Sequence, residues 1–253
     1  MNNEDEDKVI LFDDGWKQIE NFMNKLVKII SYELNENKNK EDKKYALFTN
    51  EEYIDVYTNV YNLCIQKEPY CYPEQIYNKQ KEFSEKYFKN IVLKKINDSN
   101  NILDEINCQW NILKIYRKWM SMFFMYIDRY HVKYNNLPDI KNTCTNVFLN
   151  EIYYKVNEKI TKKFIEFIKK NKLEENSDYF SYYRNILSIY ESMDFYDLDI
   201  YKDDFEYDFL NTFREYYKIK NQETLLILNV SDILINIEKI LINEKIDFNK
   251  YLN

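Results

Sequence analysis

Glycine is nearly absent: the 253-residue chain has one, Gly15, and only three prolines, Pro69, Pro73 and Pro138. A sheet protein of this length needs many turn positions with positive φ, and a nucleotide-phosphate site needs a glycine-rich loop. Neither can be built from this sequence. At 45% hydrophobic and 31% charged residues, the chain has material for both a core and a solvated surface, and it is not disordered. What remains is an all-α fold, long enough for one large domain or two modest ones.

Charge narrows the function classes. Thirty-six Lys and Arg stand against 43 Asp and Glu, a net charge of −7. That disfavours phosphate-backbone binding, so no nucleic-acid partner is expected. No uncharged apolar run reaches the roughly 18 residues a spanning helix needs, so no membrane role is expected either. The opening Met1–Asp7 stretch is acidic where a secretory signal needs basic residues. Cys64, Cys71, Cys108 and Cys144 show no recognisable spacing and read as reduced thiols on helix faces. A cytoplasmic or nuclear protein is the expectation. The abundance of Asn, Lys, Ile and Tyr resembles AT-rich coding, which makes any single one of the 25 tyrosines weak evidence.

Apolar spacing organises the chain. After an acidic leader over residues 1–11, Phe12, Trp16, Ile19, Met23, Leu26, Val27 and Ile30 form one helical stripe, with Asp13 and Asp14 suited to the positive end of the helix dipole. Residues 35–44 read as a solvated linker. Thr49 and Glu52 then form a capping box for a helix that stops before Pro69. A third helix is expected from Pro73, a break at Asn97–Ser99, and one bent helix or two adjoining ones between Asn101 and Tyr134. Asn135 to Pro138 is the clearest boundary. It divides the expected domains into 12–136 and 137–253, the latter with helices near 139–171, 178–192, 199–220 and 231–248. Successive antiparallel helices of this kind stack into a solenoid as readily as into a bundle.

Catalytic chemistry finds little support. His131 is the single histidine, which leaves no Ser-His-Asp or Cys-His arrangement, and one His with four scattered Cys makes no zinc site. Asp204 and Asp208 share a helix face, as aspartates do in helical enzymes that bind a Mg²⁺-diphosphate. No second acidic cluster follows, and the pair suits an ordinary acidic first turn. Lys159, Lys162, Lys163, Lys169, Lys170 and Lys172 alternate with Phe164, Ile165, Phe167 and Ile168. That segment reads as an amphipathic helix on a core, with a basic membrane-surface helix as the competing reading. No catalytic residue, cofactor or metal is expected.

Tyr53-Ile54-Asp55-Val56-Tyr57-Thr58-Asn59-Val60-Tyr61-Asn62-Leu63-Cys64 resembles the second helix of a cullin. Trp110, and then the run from Met125 to Val132, look like the family's (M/A)-Y-(M/L)-(D/N)-R-x-(Y/W)-V. The run from Tyr201 to Leu210, with Phe213 and Tyr216-Tyr217, is similar to Y-K-x-x-F-E-x-x-F-L. Val230 to Leu234 with the terminal Tyr251-Leu252 resembles the opening and end of the next helix. The four matches fall in order along nearly the whole chain.

The resemblance implies stacked helical cullin repeats forming an elongated stalk. It also implies a non-catalytic role, as the adaptor-binding arm of a cullin-RING ubiquitin ligase. The first repeat's second and fifth helices hold the adaptor in that family, which assigns contact roles to Tyr53, Ile54, Val56, Tyr57, Val60, Tyr61, Tyr126, Arg129 and Tyr130. The hydrophobic tripeptide that other BTB-type adaptors use is not evident in the acidic leader. The implied partner is therefore the BTB-fold adaptor that carries F-box proteins. A RING protein would bind only through a C-terminal domain that the resemblance does not reach, so the chain reads as a fragment or a truncated gene product. Two alternatives stay open: Tyr57, Tyr61 and Tyr126 as plain core residues, and a helical tethering or trafficking subunit with no ubiquitin role.

Overall fold

In the computed structural model, the described residues are 9–36 and 48–174, with isolated positions 207, 210, 211, 214, 215, 218 and 238 beyond them. Side chains of residues 32–36 and 167–174 are not among those described. Every regular element among the described residues is helical. The chain divides into two compact units, the first made of residues 1–100 and 108–155, the second of 101–107 and 156–253. The units therefore do not follow the expected boundary at 136/137, and the break at Asn135–Pro138 separates two helices that both contribute to the first unit.

Helix α1 (Phe12–Glu36) buries Trp16, Ile19, Met23, Leu26, Val27 and Ile30, the stripe its spacing predicts. Asp13 and Asp14 occupy its first turn. Helix α2 (Asn50–Ile65) opens on the predicted capping box: Glu52 N–H donates to Thr49 Oγ1 at 3.2 Å, and Thr49 N–H donates to Glu52 Oε2 at 3.0 Å. Lys25 on α1 pairs with the same Glu52 carboxylate, and this contact holds its pKa below the ordinary value.

Helix α3 covers residues 73–98. It has Pro73 in its first turn and a π-helical turn at Phe88–Val92 between its α segments Pro73–Tyr87 and Leu93–Asp98. Helix α4 (Ile102–Phe123) ends where Phe124 leaves helical geometry, and α5 follows over residues 125–135 with a π-helical turn at Asp128–Val132. Two adjoining helices, not one bent one, thus fill 102–135. At the end of α5, Asn136 takes the left-handed conformation (φ 52°) and Leu137 N–H donates to Val132 carbonyl at 3.1 Å. That is the Schellman ending, with Pro138 just beyond it to prevent continuation. Asp139 then caps α6 (residues 140–174) by accepting from Asn142 N–H at 2.7 Å. A third π-helical turn, Leu149–Tyr153, interrupts α6. The expected linker at 35–44 gives way to α1 as far as Glu36; the rest of it lies outside the described residues, as do the expected helices near 178–192, 199–220 and 231–248, apart from those isolated positions.

The core of the first unit is aromatic. Tyr87 stacks on Tyr116 at 5.3 Å, Phe88 meets Phe148 edge-on at 5.6 Å, and Trp110 meets Phe148 at 5.8 Å. Several polar groups inside are paired across helices, while Gln80 Oε1 and the Trp110 indole N–H find no partner among the described residues. Tyr116 and Ser84 hydroxyls lie 2.9 Å apart, and Tyr77 Oη donates to the Pro138 carbonyl at 2.9 Å. Tyr77 thereby fixes the α5–α6 turn against α3. In the second unit Leu103, Ile106, Val156, Ile160 and Phe164 are buried.

Candidate protein-docking surface

Helix α2 is apolar over a little more than half its circumference, so it can face the core with one apolar stripe and leave another uncovered. Val56, Val60 and Leu63 form the stripe that is fully buried. The contact roles expected for Val56 and Val60 are therefore corrected. Both side chains are closed off by the core and offer no surface to a partner. Tyr53, Tyr57 and Tyr61, four residues apart, lie along the neighbouring stripe, while Ile54 is 57% exposed.

The three tyrosines form a row, and the row crosses to α5. Tyr53 and Tyr57 rings sit 6.5 Å apart, and Tyr57 and Tyr61 stack at 6.5 Å with 13° between planes. Tyr61 meets Tyr126 edge-to-face at 5.2 Å and 87°. Tyr126 in turn lies 4.5 Å from Tyr130, which is 59% exposed. Five rings from two helices distant in sequence thus form one continuous strip. Each such pair contributes about 0.5–1.5 kcal/mol beyond its buried area. Partial burial pushes the Tyr126 phenol up from its ordinary value. Seven of the nine residues predicted to meet a partner share this surface: Tyr53, Ile54, Tyr57, Tyr61, Tyr126, Arg129 and Tyr130.

A groove of about 550 Å³ opens at the α5 end of the strip, with Cys64, Pro73, Tyr126, Arg129, Tyr130 and Tyr134 among its chiefly apolar walls. Lys133 and Tyr134 also line it, and the residue-by-residue matches omitted them. Helical spacing could have found them, since each lies four residues after Arg129 and Tyr130. His131 is in the groove wall too. Its Nδ1 lies 3.2 Å from the Asn135 amide, which leaves the ring proton on Nε2, and burial lowers its pKa. It is a wall residue on which the field of Glu74 works against the effect of burial.

The nearest thiol is inert. Burial pushes Cys64 up to about 12, so it stays protonated. Cys71 donates to the Cys64 carbonyl at 3.0 Å from the turn between α2 and α3, not from a helix face as expected. Among the described residues no group of His, Cys, Asp and Glu could hold a metal ion, and no helix is long and apolar enough to cross a membrane. Asp204 lies outside the described residues; Asp208 does as well. Lys162 and Lys163 of the basic segment are exposed and paired with Glu158 and Glu166. What the arrangement offers is a partly exposed aromatic surface beside an apolar groove, the kind of surface that binds a protein.

Residues 16–253 match the model of the Cullin alpha solenoid domain. Cullin-1 of Oryza sativa subsp. japonica is 30% identical over 207 residues, covering 81% of this chain and 26% of that protein. Putative cullin-like protein 2 of Arabidopsis thaliana is 28% identical over 251 residues, covering 96% of this chain and 63% of the relative. Cullin-2 of Arabidopsis thaliana is 29% identical over 206 residues, 79% of this chain and 27% of the relative. The chain spans about a quarter of the two full cullins and under two thirds of the cullin-like protein.

Proposed function

The chain belongs to the cullin family, and from that premise we propose that its first compact unit is the adaptor-docking end of a non-catalytic ubiquitin-ligase scaffold. The supporting observation is the tyrosine strip, which gathers residues from α2 and α5 into one partly exposed apolar surface beside a groove. Uncommitted aromatic surface of this kind is costly to leave in water and marks protein interaction sites. Tyr53, Ile54, Tyr57, Tyr61, Tyr126, Arg129 and Tyr130 are the contacts, and the partner is a BTB-fold adaptor of the kind that carries F-box proteins. Tyrosine and arginine, which most often carry interface energy, supply six of the seven. A RING subunit is assigned to a region of longer relatives beyond the matched share.

The test is binding of the purified adaptor to a Tyr57→Ala, Tyr61→Ala double variant whose helicity is checked by circular dichroism. Loss of capture with helicity retained supports the site. Capture equal to that of the unaltered chain removes it.

A further inference from the structure

The strip is electrically uneven. At its α2 end, Glu51 and Asp55 are exposed beside Tyr53 and Ile54, while Glu52 is taken up by Lys25 and Thr49. At its α5 end, Arg129 and Lys133 are exposed, four residues apart on one helix face, and both line the groove. Neither forms an ion pair among the described residues. Some lysines elsewhere on the described surface sit against glutamates, as in Lys79–Glu82 at 3.1 Å and Lys155–Glu151 at 2.6 Å, but those do not line the groove.

Two carboxylates near Arg129 in sequence are unavailable to it. Asp128 accepts from Ile140 N–H at 2.8 Å, and Asp139 accepts from Asn142 N–H at 2.7 Å, so both are used to hold the start of α6. Glu74, close to His131, is the acidic group whose field reaches this corner. On a chain of net charge −7, what sets these two cations apart is their position, together in the wall of an apolar groove. Two cations are too few for a nucleic-acid backbone, which calls for a broad basic face. They suit a carboxylate-bearing peptide segment, and the groove volume is in the range that encloses large side chains.

We propose that the Arg129–Lys133 end of the strip receives an acidic segment of the adaptor, which seats an aliphatic or aromatic side chain in the groove between Cys64, Tyr126 and Tyr134. This rests on the docking role proposed above and gives it a direction. The partner lies with its acidic end over α5 and its neutral or basic end over the start of α2. Charge placed this way governs encounter rate and orientation more than final affinity.

The experiment follows association of the full chain with the purified F-box-carrying BTB-fold adaptor by surface plasmon resonance at low and high salt. Arg129→Glu with Lys133→Glu is expected to slow association about tenfold at low salt and to flatten its salt dependence. Arg129→Gln with Lys133→Gln gives a smaller change in the same direction. Lys89→Glu with Lys94→Glu alters net charge equally, but it lies more than about 20 Å along α3 from Pro73 and leaves the rate unchanged. Normal association by the Arg129/Lys133 variant, or equal slowing by the Lys89/Lys94 variant, overturns the proposal while the docking role stands. Faster association after removal of residues 1–8 would give the groove to the chain's own acidic leader, and a concentration-dependent dimer abolished by the charge reversal would give it to a second copy. Either result overturns the proposal as well. Failure of the unaltered chain to bind the adaptor at all removes the docking role itself, and this inference with it.

Discussion

Tyr61 on α2 and Tyr126 on α5 meet edge-to-face, ring centroids 5.2 Å apart and planes at 87°. They are 65 positions apart in sequence, and their contact turns two short aromatic rows into one. Tyr61 is still 38% exposed, so the pair is held by the fold without being consumed by it. A double-mutant cycle of Tyr61→Ala and Tyr126→Ala, read by urea unfolding, should give a coupling of about 0.5–1.5 kcal/mol. Each single change should also weaken adaptor binding by about 2 kcal/mol, near thirtyfold in Kd. Full binding by a folded Tyr61→Ala variant would count against the strip as the contact surface.

Val56 and Val60 should behave in the opposite way. Both are fully buried, so truncation to Ala removes packed methyl groups and leaves a small cavity. Each should cost about 2 kcal/mol of stability. Adaptor affinity per folded molecule should stay as it was. A Val60→Ala chain of normal stability and lowered affinity would return that residue to the surface.

The sequence made some of this legible and hid the rest for an identifiable reason. Thr49 with Glu52, Pro73, and Asn135 to Pro138 are local signals: each works through its own backbone neighbours, and each helix boundary there agrees with the structure. Choosing between stripes of α2 is a different problem. Tyr53, Tyr57 and Tyr61 form one apolar row and Val56, Val60 and Leu63 another, so periodicity alone leaves open which row faces inward. The approach of α1 decides it, and no spacing within α2 carries that information. Asp128 was equally opaque, since its partner, Ile140, lies twelve residues on and across a chain reversal.

Gly15 shows how closely α1 approaches. A Cβ at this position would lie 2.7 Å from Leu63 Cδ2 and 2.9 Å from its Cγ, and Leu63 is fully buried. Removing a helical glycine ordinarily gains about 1 kcal/mol. Here the added methyl must displace a packed side chain, and overpacking of that kind costs about 1–3 kcal/mol. Gly15→Ala should therefore be net destabilising by about 1 kcal/mol in chemical denaturation. Combined with Leu63→Ala the penalty of the methyl should vanish, so the two changes are not additive. A Gly15→Ala chain more stable than the unaltered one would show that Leu63 gives way freely.

Asp128 makes a prediction in pH. Its carboxylate accepts from Ile140 N–H at 2.8 Å, and burial pushes its pKa up from 3.8 to about 6, with Asp139 nearby adding to the rise. A carboxyl that holds its proton more tightly when folded stabilises the protonated native state. Its favourable contribution is complete below the unfolded value and is lost as pH rises through the folded one. Stability should thus fall between about pH 4 and pH 6–7, by about 3 kcal/mol for the full shift and on the order of 1–2 kcal/mol once solvent screening of this half-buried carboxyl is allowed for. Asp128→Asn keeps an acceptor for Ile140 and cannot ionise, so it should lack this slope and exceed the unaltered chain in stability above pH 6. Asp128→Ala removes the acceptor as well, and should lose about 1 kcal/mol relative to Asn at every pH. Urea denaturation of the three proteins across this range separates the two effects. Parallel pH profiles for the Asp and Asn forms would mean that Asp128 remains ionised and solvated beside the turn.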